Sequence, residues 1–275
     1  MLLLNKESVY CKLNITKTDI LDDNMAFVLH NVLSKKECDQ IIEYGEKEGF
    51  KSLASEYSPN YRKSERINVD DNEFGDILLK RVKPFLTEKV KLTKQTKTHY
   101  IYDKICGTWK LDKINPWFRL CKYEPGGFFK KHLDSGYHPK VHSHRSLITI
   151  MVYLNDDYQN GETIIYDINN NENDKEIFRL KAKPGDCLIF NQKILHEGNE
   201  VNNGIKYMIR SDIFYTLEHS DYDEEKEDPI KVRAKDYYRI ASIAEAEKDF
   251  EKAIEYYIKA ERLWVGITNL DLETI

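Results

Sequence analysis

The chain has 275 residues, of which 41% are hydrophobic and 32% charged, with a formal net charge of −5. That is enough apolar material for one domain of good size plus an appendage. The charge excludes the basic stripe of a nucleic-acid binder, and no run approaches the ~20 apolar residues of a membrane-spanning helix.

The five cysteines (Cys11, Cys38, Cys106, Cys121 and Cys187) are odd in number and contain no CxxC pair. Neither a disulfide framework nor a zinc ribbon is indicated, and a reducing compartment is the natural inference. Met1-Leu2-Leu3-Leu4 is too short for a signal-peptide core. The expectation is an intracellular, cytoplasmic protein, in which the sequon Asn14-Ile15-Thr16 is fortuitous. The net charge is unevenly spread, since Thr216 to Asp228 holds seven acidic residues against one lysine.

Residues 1–24 form an N-terminal segment, and the main domain is expected over 25–215. Ser34-Lys35-Lys36-Glu37 is a capping box opening a helix with Cys38, Ile41, Ile42 and Gly45 on one face. A polar loop follows through Ser58 to Lys63. Asp70-Asp71-Asn72-Glu73 opens a second helix, with Phe74, Ile77, Leu78, Val82 and Phe85 at helical spacing.

From about Lys97 the pattern is that of short strands: Phe118–Tyr123, Phe128–Leu133, Leu147–Leu154, Thr163–Tyr166, Ile177–Leu180, Asp186–Phe190 and Lys206–Phe214. Pro125-Gly126-Gly127, Asn155-Asp156-Asp157, Gln159-Asn160-Gly161 and Lys183-Pro184-Gly185 punctuate them as turns. Asn169 to Asp174 is expected to be a loop tip. Many short strands with turn punctuation imply a sandwich or jelly roll. An acidic, solvated linker is expected over 216–232. Beyond it, over 233–265, Tyr237, Ile240, Ala241 and Ala244 answer Ala253, Tyr257 and Ala260 as one tetratricopeptide-like helical hairpin. A lone unit cannot bury its own apolar face. It must lean on the main domain, on a second copy as a homodimer, or on a protein partner.

The chemistry rests on three residues. Side chains two apart in a strand face the same side, so His132 and Asp134 can point together, and His196, past a strand and a turn, can close the site. Two imidazoles and one carboxylate make the facial triad of non-haem Fe(II) oxygenases, which leaves the opposite face of the metal open. His138, His142 and His144 crowd the segment after the triad. They are read as a solvent-exposed loop, Ser135 to Arg145, near the site mouth rather than as a second metal cluster.

These residues carry a family resemblance. Arg119-Leu120-Cys121-Lys122-Tyr123-Glu124-Pro125-Gly126-Gly127, His132-Leu133-Asp134, Met151-Val152-Tyr153-Leu154-Asn155-Asp156, Gly161-Glu162-Thr163, His196-Glu197-Gly198 and Gly204-Ile205-Lys206-Tyr207 follow one another in order. The chain resembles the 2-oxoglutarate- and Fe(II)-dependent dioxygenases of the prolyl-4-hydroxylase-like branch. The resemblance implies an α+β fold, a double-stranded β-helix (jelly roll, cupin-like) flanked by N-terminal helices. It implies His132, Asp134 and His196 as catalytic metal ligands, and Fe(II), 2-oxoglutarate, O₂ and an accessory ascorbate as cofactors. Lys206, ten residues after His196, is favoured as the anchor for the far carboxylate of 2-oxoglutarate. Arg210, on the same side of that strand, is the other cation there. Tyr153, Tyr123 and Thr149 are expected to line the co-substrate pocket, and Asn191 to support His196. Arg66 is expected in the substrate cleft.

Hydroxylation of a protein or peptide prolyl residue, with release of succinate and CO₂, is the activity so implied. Tyr207 stands where procollagen-type enzymes carry tryptophan, which argues against a collagen-like substrate. No nucleic-acid or membrane partner is expected. A second reading is a non-catalytic jelly-roll scaffold recruiting partners through its helical tail. A third is a zinc hydrolase, in which Lys206 and Tyr153 would have no role.

Overall fold

The computed structural model describes residue 4 and residues 13–22, 25–93, 106–136, 143–167, 175–220, 229–246, 249–265 and 267. The Asn169–Asp174 tip, His138 and His142 lie outside them. The chain divides into two compact units, residues 1–91 with 108–218, and residues 92–107 with 219–275.

The first unit opens with strands β1 (Thr16–Leu21) and β2 (Ala26–His30), then helix α1 (Lys35–Glu48). Short strands β3 (Lys51–Ser52) and β4 (Arg62–Lys63) precede β5 (Glu65–Asp70), helix α2 (Asn72–Val82) and β6 (Lys89–Leu92). Next come β7 (Gly107–Ile114), β8 (Trp117–Tyr123), β9 (Phe128–His132), β10 (His144–Tyr153), β11 (Gln159–Asn160) and β12 (Thr163–Asp167). The series ends with β13 (Lys175–Leu180), β14 (Cys187–Asn191), β15 (His196–Gly198), β16 (Val201–Asn203) and β17 (Lys206–Ser220). The major sheet runs β1-β2-β14-β10-β17-β8-β5-β3, and the minor sheet β13-β12-β15-β9-β4. The ladders β10–β14, β10–β17, β12–β13, β12–β15, β9–β15 and β8–β17 are antiparallel. One buried cluster draws Val28, Tyr123, Met151, Tyr153, Leu188 and Phe190 from the major sheet and Ile165 and Leu180 from the minor. This is the jelly roll that the strand pattern predicts.

The two helices begin where their caps place them. The Ser34 side chain accepts from Glu37 N–H while Glu37 reaches back to Ser34 N–H, and Asp71 accepts from Phe74 N–H. Glu37 is itself buried and paired with Arg81 at 2.7 Å. Strand β1 falls inside the N-terminal segment 1–24, where alternating Thr16-Lys17-Thr18-Asp19 carries little apolar signal. It gains its place by pairing with β2 at the sheet edge. The polar stretch 58–63 likewise ends in β4, whose ladder pairs Arg62 with Phe129. At the other end β17 runs five residues into the region read as linker; Leu217 N–H donates to Ser143 O at 3.0 Å, and Lys89 pairs with Glu218.

Gly185 closes the turn before β14 at φ +84°, and a Cβ there would lie 2.0 Å from Leu33 O. Its own carbonyl accepts Val32 N–H at 2.8 Å. A side chain meets both backbone strain and immovable backbone. Gly185→Ala is expected to cost at least ~2 kcal/mol and to lower the melting temperature by ~5 °C or more; a thermal melt followed by circular dichroism reads this directly.

The second unit contains helices α3 (Pro229–Ala246) and α4 (Phe250–Leu263). Ala241, Ala244, Ala253 and Ala260 are buried, letting the backbones approach, with Ala234, Tyr238 and Ile267 completing a small core. Phe250, Ile254 and Ile258 are exposed along α4. No helix among the described residues is long and apolar enough to cross a membrane.

Candidate active site

The ladder of the minor sheet sets His196 of β15 directly opposite His132 of β9. Asp134, two residues past His132, is fixed by its N–H donating to Gln192 O at 3.0 Å. One ligand atom from each of His132, Asp134 and His196 lies within 4.8 Å of the others. His132 Nε2 is 3.9 Å from Asp134 Oδ1, and His196 Nε2 is 3.9 Å from Asp134 Oδ2. Metal–nitrogen and metal–oxygen bonds of ~2.1 Å sum to more than either gap, so a single divalent ion can reach both atoms of each pair.

The imidazoles are oriented for this. His132 Nδ1 meets Lys130 O at 2.7 Å and His196 Nδ1 meets Ile194 O at 2.9 Å. Each Nδ1–H is thereby spent on a carbonyl, and each Nε2 keeps its lone pair for a ligand. Phe129 stacks on His132 with ring centroids 3.5 Å apart, and Phe190 meets His196 edge-on at 4.7 Å. Burial, then the neighbouring His196, pushes the His132 pKa down to about 3, so its ring stays neutral at ordinary pH. Burial opposes ionisation of Asp134, yet Arg210, His196 and His132 outweigh it and hold the carboxyl well below the usual carboxylate range.

Asp134 is also braced from the major sheet. Thr149 Oγ1 donates to its Oδ2 at 2.6 Å, and Arg210 Nη2 lies 3.2 Å from its Oδ1. Arg210 reaches Asp212 as well, at 3.1 Å. Thr149 and Arg210, expected at the co-substrate, thus stand behind a triad carboxylate instead. Strand register explains this: Thr149 pairs with Asp212 and Met151 with Arg210, so both side chains leave the ladder at the triad's level. Supporting hydrogen bonds of this kind tune ligand orientation and basicity. Thr149→Val is expected to weaken Fe(II) affinity by ~10-fold or more, measurable by competition with a chelating dye.

Lys206, Tyr153 and Tyr123 gather at the other end of the same inner face. Lys206 and Tyr123 line a cavity of about 240 Å³ that also receives the triad; Thr163, Met151, Met208 and Arg62 are among its other walls. Tyr153 packs beside it, with the Lys206 ammonium 5.3 Å from its ring centroid. The Tyr153 hydroxyl donates to Thr163 Oγ1 at 2.7 Å. Lys206 Nζ donates to Gly161 O at 2.6 Å and meets no carboxylate within ion-pair range among the described residues. Burial lowers its pKa to about 8, with Glu162 pulling weakly the other way. A buried ammonium with a single neutral partner favours an anion beside it.

Arg62 was missed from sequence. It is buried, its guanidinium 4.4 Å from the Phe129 ring centroid, with Nε donating to Ser64 Oγ at 2.9 Å. Inside a polar, charge-rich stretch it had no periodicity to mark it. Arg66 lines the cavity and is clamped by both oxygens of Glu56, at 2.9 and 3.0 Å. Asn191 caps a turn, its Oδ1 accepting Lys193 N–H at 2.9 Å, and does not touch His196 within hydrogen-bond range. His144 begins β10 and meets Ser143 Oγ at 3.0 Å.

Residues 118–211, which span both the triad and Lys206, match the family model of the 2OG-Fe(II) oxygenase superfamily. Over these residues the chain carries a 2OG-Fe(II) oxygenase domain. The oxygenase is 23% identical over 225 residues to a candidate prolyl 4-hydroxylase of Acanthamoeba polyphaga mimivirus, covering 74% of this chain and 81% of that one. It is 25% identical over 187 residues to a PKHD-type hydroxylase of Prochlorococcus marinus (strain MIT 9301), covering 66% and 74%. Among solved structures, the collagen prolyl hydroxylase of Paramecium Bursaria Chlorella virus-1 superposes with a TM-score of 0.45 at 22% identity, over 72% of this chain and 100% of that chain. The oxygenase is prolyl-hydroxylase-like, and its cofactors are Fe(II), 2-oxoglutarate and O₂.

Proposed function

We propose that the oxygenase hydroxylates a prolyl residue of a protein or peptide, releasing succinate and CO₂, with His132, Asp134 and His196 holding the iron. The observation that carries the reading is the convergence, in one cavity, of a three-ligand cluster and a buried ammonium lacking any carboxylate partner among the described residues. A zinc hydrolase or a scaffold has no use for that ammonium.

Bound there, Fe(II) with 2-oxoglutarate supplies the oxidising chemistry, and ascorbate serves as accessory reductant. The chain itself does the rest. His132 and His196 offer Nε2 because carbonyls hold their Nδ1–H groups. Asp134 offers its carboxylate while Thr149 and Arg210 fix its plane. Lys206 binds the far carboxylate of the co-substrate, with the rings of Tyr123 and Tyr153 beside it at 5.6 and 5.3 Å. Tyr57, Tyr61, Phe129 and Leu133 line the cavity mouth and exclude water as a substrate seats. No side chain has to act as a strong base, consistent with a neutral His132. The α3–α4 hairpin we assign to contacts with a protein partner or a second copy, on the strength of Phe250, Ile254 and Ile258 exposed along α4.

The test is incubation of the purified chain with Fe(II), 2-oxoglutarate, O₂ and a library of proline-containing peptides. Succinate release that rises with a peptide, together with the mass gain of one oxygen atom on its proline, is expected. Peptide-stimulated turnover with oxygen placed on another residue type would overturn the prolyl assignment.

A further inference from the structure

The major sheet carries a row of cations beside the triad, lining the same cavity. Arg119 of β8 is paired in register with Arg210 of β17 on one side and Asn68 of β5 on the other. Arg66 of β5 lines the same cavity. Two of these three arginines have their acids. Arg210 takes Asp134 and Asp212 at 3.2 and 3.1 Å, and Arg66 takes both oxygens of Glu56.

Arg119 is paired only loosely, with an acid that it shares with Arg210. Its Nη1 lies 3.5 Å from Asp212 Oδ2, and no hydrogen bond forms; the atom is buried and unsatisfied. Asp212 is already engaged through Oδ1 by Arg210 and by Gln192 Nε2 at 2.9 Å. A guanidinium stays charged and offers five donors, and this one, 29% exposed and with one buried N–H unmet, keeps donors for a further anion.

The cofactors do not supply it. Fe(II) and the dianion of 2-oxoglutarate cancel in charge. Lys206, the receptor for the far carboxylate, pairs with Tyr123, and Tyr123 is four residues, about 13 Å, along β8 from Arg119. Arg119 lines the cavity at the level of Arg210 and the triad, away from that receptor.

We propose that Arg119 receives a carboxylate side chain of the substrate, an aspartate or glutamate close in sequence to the oxidised prolyl residue. The inference rests on the peptide reading above and adds a charge requirement to it.

The test uses the full chain loaded with Mn(II) and 2-oxoglutarate without O₂. Acetylated, amidated peptides containing one proline and one aspartate, placed one to three residues before or after it, are titrated calorimetrically beside their asparagine counterparts. At one placement the aspartate peptide is expected to bind about tenfold tighter or more, with the advantage shrinking as salt rises. Arg119→Gln is expected to abolish the preference and Arg119→Glu to shift it to a lysine peptide. Equal affinity of aspartate and asparagine peptides in the wild type, or no binding of either, overturns the proposal without recourse to any variant. Addition of Fe(II) and O₂ separates the two readings. A proline hydroxylated equally well in both peptides sinks the acid requirement and leaves prolyl hydroxylation standing. Acid-dependent binding with an unmodified proline does the reverse.

Discussion

His132→Ala and Asp134→Ala are both expected to lose stoichiometric metal and to lower 2-oxoglutarate turnover by about 10³ or more, equivalent to several kcal/mol of lost metal assistance. The two variants should nevertheless part company in stability. His132 is a neutral ring whose charged form burial disfavours, so its removal uncovers no charge. Asp134 is an ionised carboxylate between Thr149 and Arg210, and its removal leaves the buried Arg210 with Asp212 alone. Deleting one partner of a buried ion pair costs about 3–5 kcal/mol. Metal-free Asp134→Ala should therefore melt well below metal-free His132→Ala. Metal content after dialysis, succinate release and thermal melts are the three readouts. Full metal retention in either variant contradicts the ligand assignment. Equal melting temperatures would mean that the Arg210–Asp134 contact contributes little.

Much of this site was readable because β-structure has period two. His132 and Asp134 share a side for that reason alone, and Lys206 and Arg210 share the inner face of β17 likewise. The strands from β8 to β17 announced themselves through Val, Ile, Tyr and Phe between Gly- and Pro-bearing turns. What could not be read was register. Strand periodicity places Arg210 on the inner face but does not say how far along it. Only the ladder, with Arg210 opposite Met151 and Arg119, sets it behind Asp134 rather than beside Lys206. Arg62 escaped notice for a related reason. Its strand is two residues long, and its environment, the Phe129 ring and Ser64, comes from β9 pairing across the minor sheet. Edge strand β1 is polar by composition and owes its existence to β2.

Lys206→Met is expected to raise the dissociation constant for 2-oxoglutarate by about 10²-fold or more, since truncating one side of a buried charged contact costs roughly 2–5 kcal/mol. It should also stabilise the co-substrate-free protein. Burial lowers the Lys206 pKa from 10.5 to about 8. The unfolded chain therefore holds this proton more tightly than the folded one. The resulting penalty on folding is fully present below pH ~8, shrinks as pH rises from there, and is gone above pH ~10.5. Its ceiling is roughly 3 kcal/mol, offset by loss of the hydrogen bond to Gly161 O. Methionine fills similar volume with no charge to desolvate, so the gain at pH 7 should be of order 1–2 kcal/mol. Binding to the wild type carries the opposite pH dependence. The free enzyme must hold Lys206 protonated to accept the carboxylate, so affinity for 2-oxoglutarate should fall as pH climbs through about 8, and Lys206→Met should show no such fall. Calorimetric titration of 2-oxoglutarate from pH 6.5 to 9.5, with melts on both proteins, tests the pair of effects together. A variant that binds as the wild type does would move the anchor to Arg62, the remaining buried cation of that cavity without a carboxylate partner among the described residues. A variant that loses both affinity and stability would mean that Lys206 is held for packing, and the buried ammonium would no longer argue for an anionic co-substrate.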